Sequence, residues 1–310
     1  MYGIILAINR YYVVRFPPSH REPRLHSDRD RDDFLERIET NLEESRALCY
    51  DWALLPNHFH LLLRTGATPK EASLTGCFIF YPHFRAMNQI FLMRGKSLRV
   101  NEIFHSIQGE SSFAGFPCVF VRMTGCNLRC SYCDTRYAYN EGEELSSDEI
   151  IKRVKRYGCS LVEITGGEPL LQKDTPLLIS ALLDEGVRVL LETNGSLDIS
   201  PVDARCVRII DVKLPSSGEA KRNNLKNLSQ LRDRDELKFV IGRQNDYDYA
   251  KEILQLIPGD VLDKITINFS PVFDSMEPNT LAGWILNDHL YARLNLQLQK
   301  IIWPEATRGF

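Results

Sequence analysis

The chain of 310 residues is long enough for one large domain or two smaller ones, each with a sizeable hydrophobic core. With 44% hydrophobic and 25% charged residues, its composition is that of an ordinary globular protein. The formal net charge of −3 predicts no bulk attraction to nucleic acid or to a membrane surface, and the short apolar start predicts neither a signal peptide nor a transmembrane span.

The basic residues change in type near residue 94. Lys70 is the single lysine before that point, where almost all the other basic residues are arginine. After it, lysine and arginine mix freely, and the types of motif change at the same place. We therefore expect two domains, residues 1–92 and residues 93–310.

In the first segment, His58 and His60 alternate with Phe59 and Leu61. On a strand, this alternation places both imidazoles on one face and the apolar side chains on the other. Two histidines on one face could bind a divalent cation. An isolated His-x-His pair is more often two surface histidines, and this alternative stays open.

Residues 31–38 and the stretch Leu-Pro-Asn-His-Phe-His at 55–60 resemble the IS200-like, single-tyrosine (HUH, REP-associated) transposases over about residues 1–90. The resemblance implies a small α+β, ferredoxin-like fragment whose histidine pair would bind a metal. The family's tyrosine is expected well downstream on a helix, but Tyr81 comes early and Tyr132 already lies in another motif. We therefore expect a truncated fragment with a vestigial metal pair, without strand-transfer chemistry or nucleic-acid binding.

In the second segment, β-rich stretches alternate with helical ones. A helix predicted at 146–155 carries Ser146 and Glu149 at capping-box spacing, and a helix at 176–185 ends at Gly186. Alternating elements give parallel strands with right-handed crossovers, so we expect an α/β fold with a partial, reduced β/α barrel. The remaining predicted elements are a helix at 247–256 and strands at 118–123, 161–165, 187–192, 207–212, 237–241 and 265–269.

Functional residues in such folds gather at the carboxyl ends of the parallel strands. A cysteine motif at 126–133 follows the first predicted strand, and Thr-Gly-Gly-Glu-Pro at 165–169 follows the second. Glu-Thr-Asn-Gly at 192–195 follows the third, and Lys-Leu-Pro-Ser-Ser at 213–217 follows the fourth. We therefore expect these four loops to meet at one edge of the sheet.

The most informative motif is the run of Cys126, Cys130 and Cys133, with the spacing C-x3-C-x2-C. Three thiolates this close in sequence can bind three corners of one cubane iron–sulfur cluster, and no fourth cysteine follows in the run. One iron would then be open to a substrate or a cofactor. The alternative is a zinc site completed by a remote cysteine or histidine, which leaves the glycines at 165–169 unexplained.

The cysteine run and the downstream Gly-Gly-Glu-Pro resemble the radical SAM superfamily. In that superfamily, S-adenosylmethionine (SAM) chelates the open iron and is cleaved to a 5′-deoxyadenosyl radical. Residues 101–110, 120–135, 192–195 and 211–216 narrow the resemblance to the family of 7-carboxy-7-deazaguanine synthases, from about residue 98 onward.

That resemblance implies a lyase that converts 6-carboxy-5,6,7,8-tetrahydropterin to 7-carboxy-7-deazaguanine, with loss of ammonia, on the route to queuosine-type nucleosides. The implied cofactors are a 4Fe-4S cluster, SAM and Mg2+. The implied partners are the small-molecule pterin and a flavodoxin or ferredoxin as electron donor, and we expect a homodimer. The other five cysteines are scattered, which favours a reducing, cytoplasmic location over a disulfide framework.

The resemblance also implies roles for site residues, with the radical generated on SAM rather than on a catalytic side chain. The three cysteines would hold the cluster, Thr135 would offer a hydroxyl to magnesium, and Arg122 would bind the substrate carboxylate. Backbone carbonyls or Glu168 would accept hydrogen bonds from the ammonium group of SAM. The other substrate-binding residues would be Ile107, Gln108, Gly109 and Thr165, and the SAM-binding residues would be Tyr132, Asp134, Gly167, Thr193, Asn194, Lys213, Pro215 and Ser216.

Some of these positions have plainer interpretations. Thr135 could cap the turn that follows it, and Lys213 could be a solvated lysine at a strand end. Gln299 and Lys300 stand where members of the family often carry a histidine before lysine, which leaves that part of the pocket open. An alternative function is a glycyl-radical activase, which shares the cysteine spacing but acts on a protein. An alternative of another class is a single-stranded DNA-binding remnant in the first segment.

Overall fold

A computed structural model of the chain describes residues 97–306 and 308–309, together with the backbone of four strands that precede them. The chain divides into two compact units, Met1–Leu92 and Met93–Phe310. Each unit contains its own β-sheet.

The first unit is built on a small antiparallel sheet. Its strands are β1 (Ile4–Ile8), β2 (Tyr11–Phe16), β3 (Ala47–Leu55) and β4 (His58–Thr65), in the order β1-β2-β4-β3. His58 and His60 lie on β4, as their alternation with apolar residues predicts, in register with Leu55 and Ala53 of β3. The placement of their side chains and the segment at 31–38 lie outside the described residues, so the metal pair and the transposase-like fragment stay predictions.

The second unit is built on a nine-stranded sheet. Its strands are β5 (Ser97–Ile107), β6 (Pro117–Met123), β7 (Glu143–Ser146), β8 (Leu161–Gly166), β9 (Arg188–Thr193), β10 (Val207–Asp211), β11 (Glu236–Ile241), β12 (Thr266–Pro271) and β13 (Arg293–Leu294). They lie in the order β13-β12-β11-β10-β9-β8-β6-β5-β7. The strands from β13 to β6 in this order are parallel, and β5 and β7 extend the sheet in antiparallel fashion. Because β7 and β13 are the two edges, the sheet is a partial barrel, as predicted, rather than a closed one.

The helices of the second unit are α1 (Ser147–Lys155), α2 (Thr175–Asp184), α3 (Gln244–Gln255), α4 (Gly259–Leu262), α5 (Pro278–Asn287) and α6 (Leu298–Ile302). The hydroxyl of Ser146 caps α1 by accepting a hydrogen bond from the N–H of Glu149 (3.2 Å). The predicted capping box is only half formed, because the carboxylate of Glu149 pairs with Arg153 instead (3.1 Å). In the described part of the chain, no helix combines the length and the hydrophobicity that crossing a membrane requires.

The hydrophobic runs predict six of the parallel strands, with ends that differ from the observed ones by at most two residues. The pattern does not predict β5, because polar residues such as Asn101, Glu102 and His105 interrupt its alternation. Within the described residues, the connection from β10 to β11 holds no α-helix. It holds the 3-10 helices Pro215–Ser217, Ala220–Arg222 and Leu225–Gln230.

Alternation along the parallel strands separates an apolar outer face from a partly polar inner face. On β8, Val162 and Ile164 belong to the core cluster that also contains the buried side chains of α1 and α2. The residues between and after them therefore point to the opposite face of the sheet. The inward positions with polar side chains are Glu163, Thr165, Glu192, Asp211 and Lys238.

A buried ion pair fastens the start of β10 to the turn before β11. Arg208 is fully buried, and its guanidinium donates hydrogen bonds to both carboxylate oxygens of Asp235, through Nε to Oδ1 at 3.1 Å. The same guanidinium donates to the backbone carbonyls of Ile199 (3.3 Å) and Gln230 (2.7 Å). All these partners lie in loops at one end of the sheet, so this single side chain organises them.

We expect Asp235→Ala to destabilise the second unit by about 3–5 kcal/mol, because it leaves the Arg208 charge buried without a carboxylate. Asp184→Ala removes the partner of Arg205 in a solvent-exposed pair (2.7 Å) and should cost less than about 1 kcal/mol. Denaturant unfolding of the two variants, followed by circular dichroism, measures both effects. Equal losses in the two variants would show that the buried pair has no special role.

Candidate active site

The loops at the carboxyl ends of the strands and the inward strand residues enclose a cavity of about 500 Å3. The predicted site residues that line it are Ile107, Gln108, Gly109, Arg122, Cys126, Cys130, Tyr132, Cys133, Asp134, Thr135, Thr165, Gly167, Thr193, Asn194 and Lys213. Residues from distant parts of the sequence are thus brought together as the alternating β and α pattern predicts.

The cysteine loop, residues 126–133, is fastened to the elements around it. At its start, the N–H of Gly125 donates to the carbonyl of Ala138 (2.8 Å). Near its tip, the hydroxyl of Ser131 donates to the carbonyl of Ser216 (2.7 Å). The loop is therefore held against the 3-10 helix that follows β10. The three cysteine thiols within it are free of disulfides.

The thiols form a donor set for a cluster rather than for a single ion. Burial raises the pKa of Cys126, and it raises the pKa of Cys130 to about 11, so both thiols are protonated at neutral pH until a metal displaces the proton. In the part of the chain that the structure describes, no three histidine, cysteine or acidic side chains are placed to share one metal ion. A cubane spreads its ligands over separate irons, so three thiols in one loop suit a 4Fe-4S cluster better than zinc.

Gly167 permits the loop after β8 to lie directly against the cysteine loop. A side chain at this position would place its Cβ against the carbonyl oxygen of Gly125 and 2.9 Å from the Cβ of Cys126, inside van der Waals contact. The N–H of Glu168 donates to that same carbonyl (2.7 Å). The absence of a side chain at Gly167 is therefore required to bring the two loops together.

Glu168 is one of two kinds of acceptor that the sequence analysis names for the ammonium of SAM, the other being backbone carbonyls. Its carboxylate is fully buried and accepts hydrogen bonds from the hydroxyl of Thr193 (2.8 Å) and from the N–H groups of Asn194 (2.7 Å) and Leu170 (2.9 Å). It is not among the residues that line the cavity, which favours the backbone carbonyls. Glu168 instead ties the loop after β8 to the loop after β9.

Asn194 carries a polar group to the edge of the cysteine site. Its amide nitrogen lies 3.8 Å from the sulfur of Cys126 and donates to the side-chain oxygen of Asn127 (3.1 Å). Its own oxygen accepts from the hydroxyl of Ser196 (2.6 Å), which orients the amide. The turn after β9 thus places the side-chain amide of Asn194 against the cysteine loop.

Lys213 and Asp211 form an ion pair at the end of β10, 2.7 Å apart. Lys213 is buried, so the plainer interpretation of a solvated strand-end lysine is wrong. Burial lowers the pKa of Lys213, but the neighbouring Asp211 outweighs it and the net shift is upward. The second oxygen of Asp211, Oδ1, is buried and has no hydrogen-bond partner among the described residues. An acceptor left open in this way suits a ligand that brings hydrogen-bond donors.

Pro215 and Ser216 do not line the cavity but lie behind the cysteine loop. The N–H of Ser216 donates to Asp246 of α3 (2.8 Å), and its carbonyl accepts from Ser131. Tyr132, which does line the cavity, reaches the carbonyl of Val240 with its hydroxyl at 3.4 Å. The two residues behind the loop therefore support the site from outside.

Arg122 lies on the wall of the cavity formed by β6 and β5. Its Nε donates to the carboxylate of Glu102 (2.7 Å), and the guanidinium lies over the rings of Phe104 and Tyr137, 5.6 and 5.8 Å from their centroids. The described residues supply no partner for its two terminal nitrogens. Together, these two nitrogens can bind one carboxylate in bidentate fashion. Thr135 nearby forms no side-chain cap, so its hydroxyl stays available.

A buried group of one amide and four charged side chains, which we term the ionic floor, lines the end of the cavity opposite the cysteine loop. It consists of Gln108, Glu110, Glu163, Glu192 and Lys238. The ammonium of Lys238 lies 2.5 Å from Glu110 and 2.7 Å from Glu192. Gln108 donates through Nε2 to Glu163, and the carboxyl groups of Glu163 and Glu192 interact within the same cavity lining.

The charged groups of the ionic floor shift one another's pKa values. Burial raises the pKa of Glu110, but the ammonium of Lys238 outweighs it, so the pKa falls to about 2. Burial lowers the pKa of Lys238, yet Glu110 and Glu192 raise it overall. For Glu163, burial and the nearby Glu192 act in the same direction and raise the pKa well above its ordinary value. At neutral pH, Glu110 and Lys238 are therefore charged.

The motifs assign no role to Glu163 or Lys238, although the local sequence around each of them is unusual. Glu163 interrupts the apolar run Leu-Val-Glu-Ile, and Lys238 interrupts Leu-Lys-Phe-Val. A charged residue in the middle of a buried parallel strand is expensive unless it is paired, so it marks an inward-facing site. The partner of such a residue, however, lies on another strand and cannot be read from the local pattern.

The stretch from Gln297 to Ala306 lines one side of the cavity. Gln297 and Gln299 both donate to Oε1 of Glu110, at 2.9 and 3.0 Å. Further along, Lys300 pairs with Asp134 (3.2 Å), and Arg308 pairs with Glu141 (2.8 Å). Gln299, where family members often carry histidine, therefore joins the floor through a neutral amide.

Comparisons with known proteins agree with this geometry. A model of the radical SAM superfamily matches residues 120–258. The 7-carboxy-7-deazaguanine synthase of Chlorobaculum tepidum is 47% identical over 215 residues, which cover 68% of this chain and 97% of that protein. The enzyme of the same name from Koribacter versatilis is 40% identical, over 68% of this chain and 100% of its own length. Among solved structures, QueE from Escherichia coli has a similar fold, with a TM-score of 0.54 and 22% identity over 67% of this chain and 97% of its own.

We expect Gly167→Ala to reduce the iron bound after anaerobic reconstitution at least about tenfold, because the new methyl group separates the two loops around the cysteines. Gly283→Ala is the matched control, since a methyl group there meets no neighbouring atom. Iron and sulfide analysis of both purified variants measures the effect. A normal cluster content in Gly167→Ala would contradict the role assigned to this glycine.

Proposed function

The chain belongs to the family of 7-carboxy-7-deazaguanine synthases within the radical SAM superfamily, and from this membership we propose the roles of the residues around its cavity. It is a radical SAM lyase of the queuosine pathway, which converts 6-carboxy-5,6,7,8-tetrahydropterin to 7-carboxy-7-deazaguanine with loss of ammonia. The observation that carries this function is a single cavity with three free thiols at one end and a buried ionic floor at the other.

Cys126, Cys130 and Cys133 hold the 4Fe-4S cluster in our proposal. When bound, the cluster and SAM together supply the carbon radical that abstracts hydrogen from the substrate. Asp211 accepts donor groups of SAM through its free Oδ1, and Lys213 keeps that carboxylate in place. These residues bind and orient the cofactors, and the remaining predicted contacts of SAM are backbone and amide groups. They are Tyr132, Asp134, Gly167, Thr193 and Asn194, with Pro215 and Ser216 as supports.

The pterin occupies the space between the cysteine loop and the ionic floor. Its carboxylate pairs with the free side of Arg122, which Glu102 holds in orientation. The donor groups of its aminopyrimidine edge meet the carboxylates and amides of the floor, beginning with Gln108. Ile107, Gly109 and Thr165 complete the wall. A pocket with charged groups at both ends suits a polar substrate that carries hydrogen-bonding groups at both of its ends.

Magnesium is bound next to the cluster through the hydroxyl of Thr135 in our proposal. This hydroxyl lies 3.8 Å from the sulfur of Cys133 and forms no cap with the following turn. Asp134 is already paired with Lys300. A single protein oxygen is compatible with magnesium, which commonly keeps several waters and takes further oxygens from the substrate.

The domain roles and partners form the remaining part of the proposal. Residues 93–310 are the catalytic domain, and residues 1–92 are a truncated, transposase-like segment without a part in the reaction. The electron donor is a flavodoxin or a ferredoxin, and the enzyme acts as a homodimer in the cytoplasm. The division of the chain into two compact units near residue 92 supports the first of these statements.

The test of function is an anaerobic assay of the reconstituted chain with SAM, dithionite and 6-carboxy-5,6,7,8-tetrahydropterin. We expect a product with the absorbance of a 7-deazapurine and one equivalent of ammonia per product. Cys130→Ala should give neither, because one corner of the cluster loses its thiolate. Release of 5′-deoxyadenosine without deazapurine would support the superfamily and contradict the proposed substrate.

The role of the first unit is tested by comparing the full chain with a chain that starts at Met93. We expect kcat and KM for the pterin to agree within about twofold, since the described residues that line the cavity belong to the second unit. A hairpin of single-stranded DNA, added to both proteins in a gel-shift assay, should bind neither. Binding by the full chain alone would show that residues 1–92 keep a function.

A further inference from the structure

The proposed function leaves Glu163 without a part in the reaction, although its position is unusual. It lies in the middle of β8, two residues before Thr165, and it lines the cavity while only 2% of its surface is exposed. A carboxyl group this deeply buried is costly unless each of its oxygens has a suitable partner. Its partners therefore define what it does.

The first partner is Gln108, and its amide orientation is fixed by the backbone. The side-chain oxygen of Gln108 accepts a hydrogen bond from the N–H of Glu110 (3.0 Å), so its Nε2 is the group that faces Glu163. An N–H group can only donate, and one oxygen of Glu163 accepts that hydrogen. If Gln108 were flipped, its oxygen would face Glu163 and the bond to Glu110 would be lost.

The second partner is Glu192, on the neighbouring strand β9. Its carboxylate already accepts a hydrogen bond from Lys238 (2.7 Å), and it lines the same cavity as the carboxyl group of Glu163, which lies close enough to feel its charge. Two carboxyl groups in contact need one proton between them. Because Glu192 is the member that is neutralised by an ammonium, the proton belongs on Glu163.

We infer that Glu163 is a positioning residue that acts as a neutral carboxylic acid, accepting from Gln108 and donating to Glu192, and so holds two substrate-facing side chains in one arrangement. The inference rests on the proposed function for its effect on substrate, but not for the protonation itself. Glu163 is thus the hydrogen-bonded link between the loop after β5 and strand β9.

The charges around Glu163 agree with this arrangement. The groups that face it are Glu192 from β9, Lys238 from β11, Glu110 from the loop after β5 and the thiol of Cys118 from β6. The ammonium of Lys238 already pairs with the carboxylates of Glu110 and Glu192. A further negative charge on Glu163 would have no counter-ion within the floor, and burial would make it costly.

The test compares Glu163→Gln with Glu163→Val. Glutamine has the same shape and both hydrogen bonds of a neutral acid, so we expect KM for the pterin to stay within about threefold of the unmodified enzyme. Valine removes both bonds, and we expect KM to rise about 10- to 100-fold with a much smaller change in kcat. Glu252→Gln and Glu252→Val, on the exposed side of α3, are matched controls and should change neither constant.

Two outcomes would overturn the inference. Equal damage by Glu163→Gln and Glu163→Val would mean that a charged Glu163 is needed. An unchanged KM in Glu163→Val would mean that it positions nothing. Cluster content and the slow cleavage of SAM without substrate show whether the valine variant has folded.

A second measurement is independent of turnover. The infrared spectrum of the resting enzyme minus that of Glu163→Gln should contain the carbonyl band of a protonated carboxylic acid, and absence of this band would contradict the inference. Since its pKa is raised, Glu163 loses its proton only where the pH passes that raised value, so KM should rise there in the unmodified enzyme and stay flat over the same pH range in Glu163→Gln. A protein that shows the infrared band but no pterin turnover would leave this inference intact and refute the proposed substrate.

Discussion

The ammonium of Lys238 between the carboxylates of Glu110 and Glu192 is the interaction on which the cavity depends. A charge on the inner face of a parallel sheet has little access to water, so it must be matched by charges on neighbouring elements. Here the matching carboxylates come from β9 and from the loop after β5. The pairing therefore joins three separate pieces of chain into one surface.

The opposite end of the cavity is organised by close backbone approach rather than by charge. The missing side chain of Gly167 lets the loop after β8 touch the cysteine loop, and buried Glu168 ties the same loop to Thr193 and Asn194. The two ends of the cavity are held by different interactions because they bind different groups. Cysteines that share a cluster need a rigid loop, whereas a polar substrate needs hydrogen-bonding groups held at fixed angles.

Local sequence patterns were sufficient for much of this structure. The apolar runs located the parallel strands, the spacing of Cys126, Cys130 and Cys133 located the cluster loop, and the motif order placed four loops at one edge. What the patterns could not supply was the pairing between strands. Glu163 is visible as an odd charge in an apolar run, but that its neighbour is Glu192 follows only from the order of β8 and β9 in the sheet. The burial of Glu168 is hidden from the local pattern for the same reason, since two of its partners, Thr193 and Asn194, are 25 and 26 residues away.

The two amide bonds from Gln297 and Gln299 to Glu110 join residues that are 187 and 189 positions apart. At ribosomal rates of ~5–20 residues per second, about 10 to 40 s separate the synthesis of Glu110 from that of these glutamines. Nascent chains therefore carry an incomplete pocket until translation has passed Gln299, even when the sheet has already formed. The glutamine side of the pocket is consequently completed only after β13 has been made, and a ribosome that stalls within α5 yields a chain that lacks both β13 and these two contacts to Glu110.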